Sequence, residues 1–269
     1  MILIASMVRS NYLIGGIALS IAFIIKWITT TDKKCIVLAI AIIICATSSA
    51  AVVRIIGNEY TGIEIPNGMP KILWLGMGIG VENNGRSDGW YNGYNYDVFI
   101  ENKCDASKSK IEARNDIRRQ VEYWCKNKKE ATEFFSRKII TSWCDPLMQS
   151  VWSGPLQDCQ QYTHLNFIRS IYSGGRLYLL LNSVFHVILW LIYFGNFFYW
   201  LNSLIFKKNI PGVLATFSLI FFAGGFVFHL FWETKSQYIL PYVVLLIPVA
   251  LSGLMEFALV VISGLEKIR

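Results

Sequence analysis

The densest set of reactive side chains lies in FVFHLFWETKSQYILPY, residues 226–242. His229 and Glu233 are four positions apart, so on a helix they share a face. Lys235, Gln237 and Tyr238 follow at once, and Pro241 falls in the first turns of the next apolar run. The segment offers an acid, a base, a cation and a hydroxyl at a lipid–water boundary. A cation there can hold a phosphate carried on a lipid. The plainer role is interfacial: Trp232 and Tyr238 in an aromatic belt, with Lys235 reaching for the headgroups.

Other candidate groups are more dispersed. Asn182, His186, Leu189, Tyr193, Asn196 and Trp200 alternate steps of four and three, which puts their polar members on one helical stripe. Polar groups are costly in lipid, so the stripe should face other helices or a wet cavity. Interhelical hydrogen bonding outweighs a catalytic His186. Glu256 is an acid inside an apolar run, close to one end of it. Asp88, Asp97, Glu101 and Asp105 do not have the spacing of a calcium loop. The three His are scattered, and no metal or cofactor is expected. Gly76, Gly78 and Gly80 alternate, but no strand–helix unit surrounds them, so they do not make a dinucleotide loop.

These groups are carried by five apolar runs, at residues 12–28, 35–53, 177–206, 212–231 and 238–261. Each approaches or exceeds the roughly twenty residues that cross a bilayer as a helix. The expected fold is an all-α integral membrane protein with about five transmembrane helices. Residues 1–56 hold the first two, 57–175 form a polar insert, and 176–269 hold the last three. The net charge of +7 lies at the membrane flanks, because the insert has equal numbers of Lys/Arg and Asp/Glu. Lys26, Lys33, Lys34, Lys207, Lys208, Lys267 and Arg269 fall on one side, and Arg9, Arg54, Arg176 and Lys235 flank the other. The positive-inside rule makes the first side cytoplasmic and the insert extracytoplasmic, in a multi-pass protein of the cell membrane. This distribution speaks against a nucleic-acid partner. The first span then enters from outside without a basic leader. Upstream spans, a missing N-terminal half or a partner chain would explain that, as would a small protein inserted N-terminus out.

Within the insert, residues 57–102 are rich in Gly, Asn, Tyr and Trp and read as turns. Residues 71–81 suggest a short helix on the membrane surface, anchored by Trp74. Residues 105–143 read as helical, capped by Asp105 or Ser107 and broken near 126–129. Ile117, Val121 and Trp124, then Ala131, Phe135, Ile139 and Trp143, supply the apolar faces. Cys35 and Cys45 are packing residues of the second span. Cys104, Cys125, Cys144 and Cys159 all fall in the insert, and outside the cytoplasm they could form two disulfides in any of three pairings.

The sequence ETKSQY at 233–238, followed by an apolar span, resembles the C-terminal region of bacterial GT-C superfamily membrane glycosyltransferases. The relevant members are the protein O-mannosyltransferase-like enzymes of Gram-positive envelopes. WLGMGIG at 74–80, GWYNGY at 89–94 and WCDPLMQSVW at 143–152 resemble the outer region of the same group, and RSN at 9–11 resembles its approach to a mid-chain span. The resemblance implies sugar transfer from a polyprenyl-phosphate donor outside the cytoplasm, in envelope glycan assembly. Arg9 and Lys235 would neutralise phosphate, Glu233 would orient Lys235 or an acceptor hydroxyl, and Tyr238 would supply a hydrogen bond. The family's catalytic acid usually sits in the outer loop after its first span. Here the first two spans are joined by a short cytoplasmic turn whose one acid is Asp32. The expectation is therefore a fragment or shortened relative, inactive alone. A non-enzymatic receptor or scaffold with a partner-binding outer domain is the other reading. A transporter is weaker, because the spans hold few ionisable residues and no repeat-related broken pair.

Overall fold

A computed structural model describes residues 2–8, 12–64, 68–82, 88–151, 166–172 and 175–266. All regular structure among them is helical. Five elements are long and apolar enough to cross a membrane, the architecture of a multi-pass membrane protein. They are α2 (Tyr12–Thr30), α3 (Lys33–Thr61), α9 (Arg176–Leu201) with its π-helical continuation (Asn202–Phe206), α10 (Val213–Phe231) and α11 (Ser236–Glu266). A short α1 (Ile2–Val8) precedes them and lies against α3.

The spans follow the order α3, α2, α10, α11, α9, each packed on the next. Small residues bring the axes close. Ala18 and Ala22 of α2 and Ala39 of α3 are buried, and Ser20 Oγ donates across to the Ala39 carbonyl at 3.1 Å. Between α9 and α11, a Cβ on Gly195 or Gly253 would run into the opposing backbone, so glycine sets that approach. Asn196 donates to the Leu246 carbonyl at 3.0 Å, and Tyr193 donates to Trp143 of the insert at 2.9 Å. The polar stripe on α9 thus binds neighbouring elements, as its spacing implied. His186 bonds within its own helix, to Asn182.

Asp32 starts α3 by accepting from the Lys34 amide at 3.0 Å, and Gly62 ends it with φ of 66°. The helix overruns the expected span by two turns, taking Arg54, Asn58 and Glu59 toward the insert.

The insert holds α4 (Ile72–Gly78), α5 (Tyr94–Glu101), α6 (Ala106–Lys126), α7 (Lys128–Trp143) and α8 (Asn166–Ile171). Asp105 caps α6 through the amides of Ser107 and Lys108, at 2.8 and 3.1 Å. Asn127, with φ −114° and ψ 62°, separates α6 from α7 where the charge run suggested a break. The short helix expected within 71–81 forms as α4, which lies among α5, α6 and the end of α10. Leu73, Met77, Tyr94, Val98 and Ala113 form one apolar cluster around it, and Trp124 donates to the Ile79 carbonyl at 3.1 Å. One expectation changes, on α7. Its most buried positions are Phe134, Lys138, Ser142 and Trp143; Trp143 belongs to the stripe that apolar spacing suggests, and the other three stand one step from it. On α6, Val121 is exposed.

Candidate functional site

Helix α10 ends at Phe231 and α11 begins at Ser236, so four residues join the last two spans. This connection does not lie on the surface. Glu233, Thr234 and Ser236 are buried against the insert. The Glu233 amide donates to the Trp74 carbonyl at 3.1 Å, and the Thr234 amide donates to the Gly89 carbonyl at 2.9 Å. Two backbone bonds thus stitch the loop to segments far upstream. Gly78 makes the approach possible, since a Cβ there would overlap the backbone from Phe231 to Glu233.

Lys138 closes the junction. Its side chain enters from α7, is 1% exposed, and reaches the carbonyls of Gly78, Leu230 and Trp232. The latter two lie at 2.9 Å. An ammonium has three donors, and here all three are used. The choice of acceptors has a clear cause. Gly78 is the last residue of α4, and Leu230 sits in the last turn of α10. Terminal helix carbonyls have no intrahelical donor and carry the negative end of the dipole, so one buried cation serves two helix ends. Gly89, with φ of 73°, lies against the aliphatic stem of Lys138, and a Cβ there would strike it. Burial pushes the Lys138 ammonium down to about 7, while the carboxylates of Glu233 and Asp88 work in the opposite direction. Asp88 is itself ion-paired with Arg137, the preceding residue on α7.

The far side of the loop is held by Ser236, whose hydroxyl donates to Asp145 Oδ2 at 2.6 Å. Asp145 also accepts from the Leu147 and Gln149 amides, at 3.1 and 3.0 Å, which folds the turn after α7. His229 is buried one helical turn before the loop, its ring 5.7 Å from that of Tyr242.

Glu233, Lys235 and Tyr238 are therefore brought together at the boundary between spans and insert. Glu233 is buried beside Lys138, while Lys235 and Tyr238 are half-exposed. Arg9 lies outside the described residues. Lys138 was missed by sequence reasoning, since nothing separates it from the other lysines of a charged helical segment. Its only signal is position: it stands four residues after the buried Phe134 and four before the buried Ser142.

The remaining candidates resolve as structural. Glu256 pairs with Lys207 at 2.6 Å and accepts from Asn202, which fixes the π-helical turn at the opposite end of the spans. Asp105 is a cap and Asp88 an ion-pair partner. Cys104 and Cys125 are exposed free thiols. Cys144 is a half-buried one whose pKa burial raises. Cys159 lies outside the described residues. Among those residues, no cluster of His, Cys, Asp or Glu could hold a metal. No protein-family model, curated protein or solved structure matches the chain.

Proposed function

We propose that this protein is part of a membrane glycosyltransferase system of the GT-C type, and that its junction receives the phosphate of a polyprenyl-phosphate-linked sugar. One observation carries the reading. Five short segments carry the resemblance to these enzymes, and the fold draws four of them to one place, the fifth, RSN at 9–11, lying outside the described residues. WLGMGIG contributes the Trp74 carbonyl, GWYNGY the Gly89 carbonyl, WCDPLMQSVW the Asp145 carboxylate, and ETKSQY the loop that donates to all three, while the Gly78 carbonyl of WLGMGIG accepts from Lys138. In this reading the clasp through Lys138 and Glu233 is a positioning device. It fixes the loop so that Lys235 and Tyr238 are presented at the lipid boundary, with Lys235 facing phosphate. The catalytic carboxylate is not assigned to Asp32, which caps α3 at the end of the spans away from the insert.

The insert lies on the outer face in this proposal. Lys26, Lys33, Lys34, Lys207 and Lys208 all fall at the opposite end of the spans, which supports that placement.

The test is binding of undecaprenyl phosphate by the full chain in lipid nanodiscs. The Arg9→Ala, Lys235→Ala double variant should weaken binding at least about tenfold, the scale of one lost charged hydrogen bond. Unchanged binding overturns the assignment.

A second reading is a non-enzymatic receptor or scaffold. It is favoured by the way the junction consumes its own polar groups: Lys138 spends every donor on the fold itself. It predicts no affinity for the lipid phosphate in either form of the protein.

A further inference from the structure

The end of the spans opposite the insert contains an open cleft. It is lined by Ile25 and Ile28 of α2, Leu219 and Ile220 of α10, and Trp200 and Leu204 from the end of α9 and its π-helix, and its volume is about 390 Å³. That is the size of a small-molecule site. It arises because α9 lies along α11 while α2 lies along α10, and the two pairs do not close on each other at this end. The hydroxyls at its wall are already used: Thr29 donates to the Lys26 carbonyl at 2.9 Å, and Thr216 to the Pro211 carbonyl at 3.1 Å. The large cleft is therefore apolar in character. A smaller one, of about 160 Å³, adjoins it, shares Ile25, Thr29, Ile210 and Thr216, and has Lys26 in its wall.

An apolar slot opening beside a lysine matches an amphiphile with a negative head. The charges at this end have the same sense. Lys207 is held by Glu256, and Asp32 is turned to the Lys34 amide. Lys26, Lys33, Lys34 and Lys208 enter no ion pair among the described residues. No acidic residue lines either cleft. Apolar walls of this shape gain dispersion contacts from a chain of methylenes laid between them. We propose that this cleft holds one acyl chain of an anionic phospholipid, with the headgroup phosphate at Lys26. The site is separate from the junction with the insert and does not depend on sugar transfer.

The test uses the full chain in vesicles containing equal phosphatidylglycerol and phosphatidylcholine, extracted in mild detergent, with retained lipid read by native mass spectrometry. Phosphatidylglycerol should be retained over phosphatidylcholine by about fivefold, the effect of one lysine near a membrane surface. Lys26→Gln should remove most of that preference, and Lys34→Gln should leave it. Leu219→Trp should lower total retained lipid by filling the cleft. Ile210→Trp, on the loop before α10, fills the same space if the helix variant does not fold. Equal retention of the two lipids overturns the proposal, as does equal loss in the two lysine variants, or full retention in a folded tryptophan variant.

Discussion

The Lys138 ammonium donates to the Trp232 carbonyl across 94 positions of sequence, at 2.9 Å. That bond joins a helix of the polar insert to the loop between the last two spans. With the Leu230 and Gly78 carbonyls it makes Lys138 the common cap of two helices. Removing the cation without filling its role leaves three buried carbonyls unsatisfied. Lys138→Met keeps the volume and loses the donors, so it should cost roughly 3 kcal/mol or more. The check is the apparent unfolding temperature in detergent, together with protease cleavage after α10, which should appear in the variant and not in the parent.

The same group makes stability depend on pH. Its pKa is lowered to about 7 in the fold, against 10.5 as the ordinary value for lysine. Between these values the unfolded chain binds more protons than the folded one, so stability rises with pH. The Lys138 contribution should be flat below about pH 7, rise from there toward 10.5, and level off above. Subtracting the Lys138→Met profile from that of the parent, across pH 6 to 10, isolates it. A difference that does not change through this window would contradict a depressed pKa.

Gly78 is the second element of the clasp, and its role is steric. An added methyl would meet the Phe231 carbonyl and the Trp232 backbone, atoms that cannot turn aside. Gly78→Ala should therefore separate insert from spans and destabilise the protein by at least about 2 kcal/mol, in the range for overpacking. Gly62→Ala provides the comparison. It stands at the left-handed end of α3 with open space around it, and should cost only about 1 kcal/mol. Unfolding temperatures of the two variants decide between them. Similar values would mean that the loop is not tightly seated.

How much of this was legible in the chain depends on what each residue spends its free energy on. The spans were legible because lipid demands one property over a long run, and 12–28 or 212–231 could hardly be anything else. The cap at Asp105 and the break at Asn127 were legible because both are local. The position of α4 was not. Its sequence, ILWLGMG, suits a membrane surface and a protein core equally well, and only the fold shows that Leu73 and Met77 meet Tyr94 and Val98. Lys138 was hidden for the opposite reason. A lysine at a buried position breaks the apolar pattern of α7, so the period points to Phe135 and Ile139, one step round the helix. The contacts that justify it are carbonyls at far positions, and carbonyls leave no mark on sequence. The same holds for Gly78, whose need for a missing side chain is set by Phe231 and Glu233.

Sidedness is the claim on which the lipid-phosphate reading stands, and two exposed thiols can test it. Cys104 and Cys125 lie in the insert with accessible side chains, whereas Cys144 is half-buried and its thiolate is disfavoured by burial. In intact cells, after mild reduction, an impermeant maleimide should label variants that keep only Cys104 or only Cys125. A variant that keeps only Cys144 should react several times more slowly. The result that matters is order of access. If Cys104 and Cys125 react only once the membrane is broken, the insert faces inward. Lys235 would then stand on the wrong side for an externally presented polyprenyl phosphate, and the basic end with its cleft would face out.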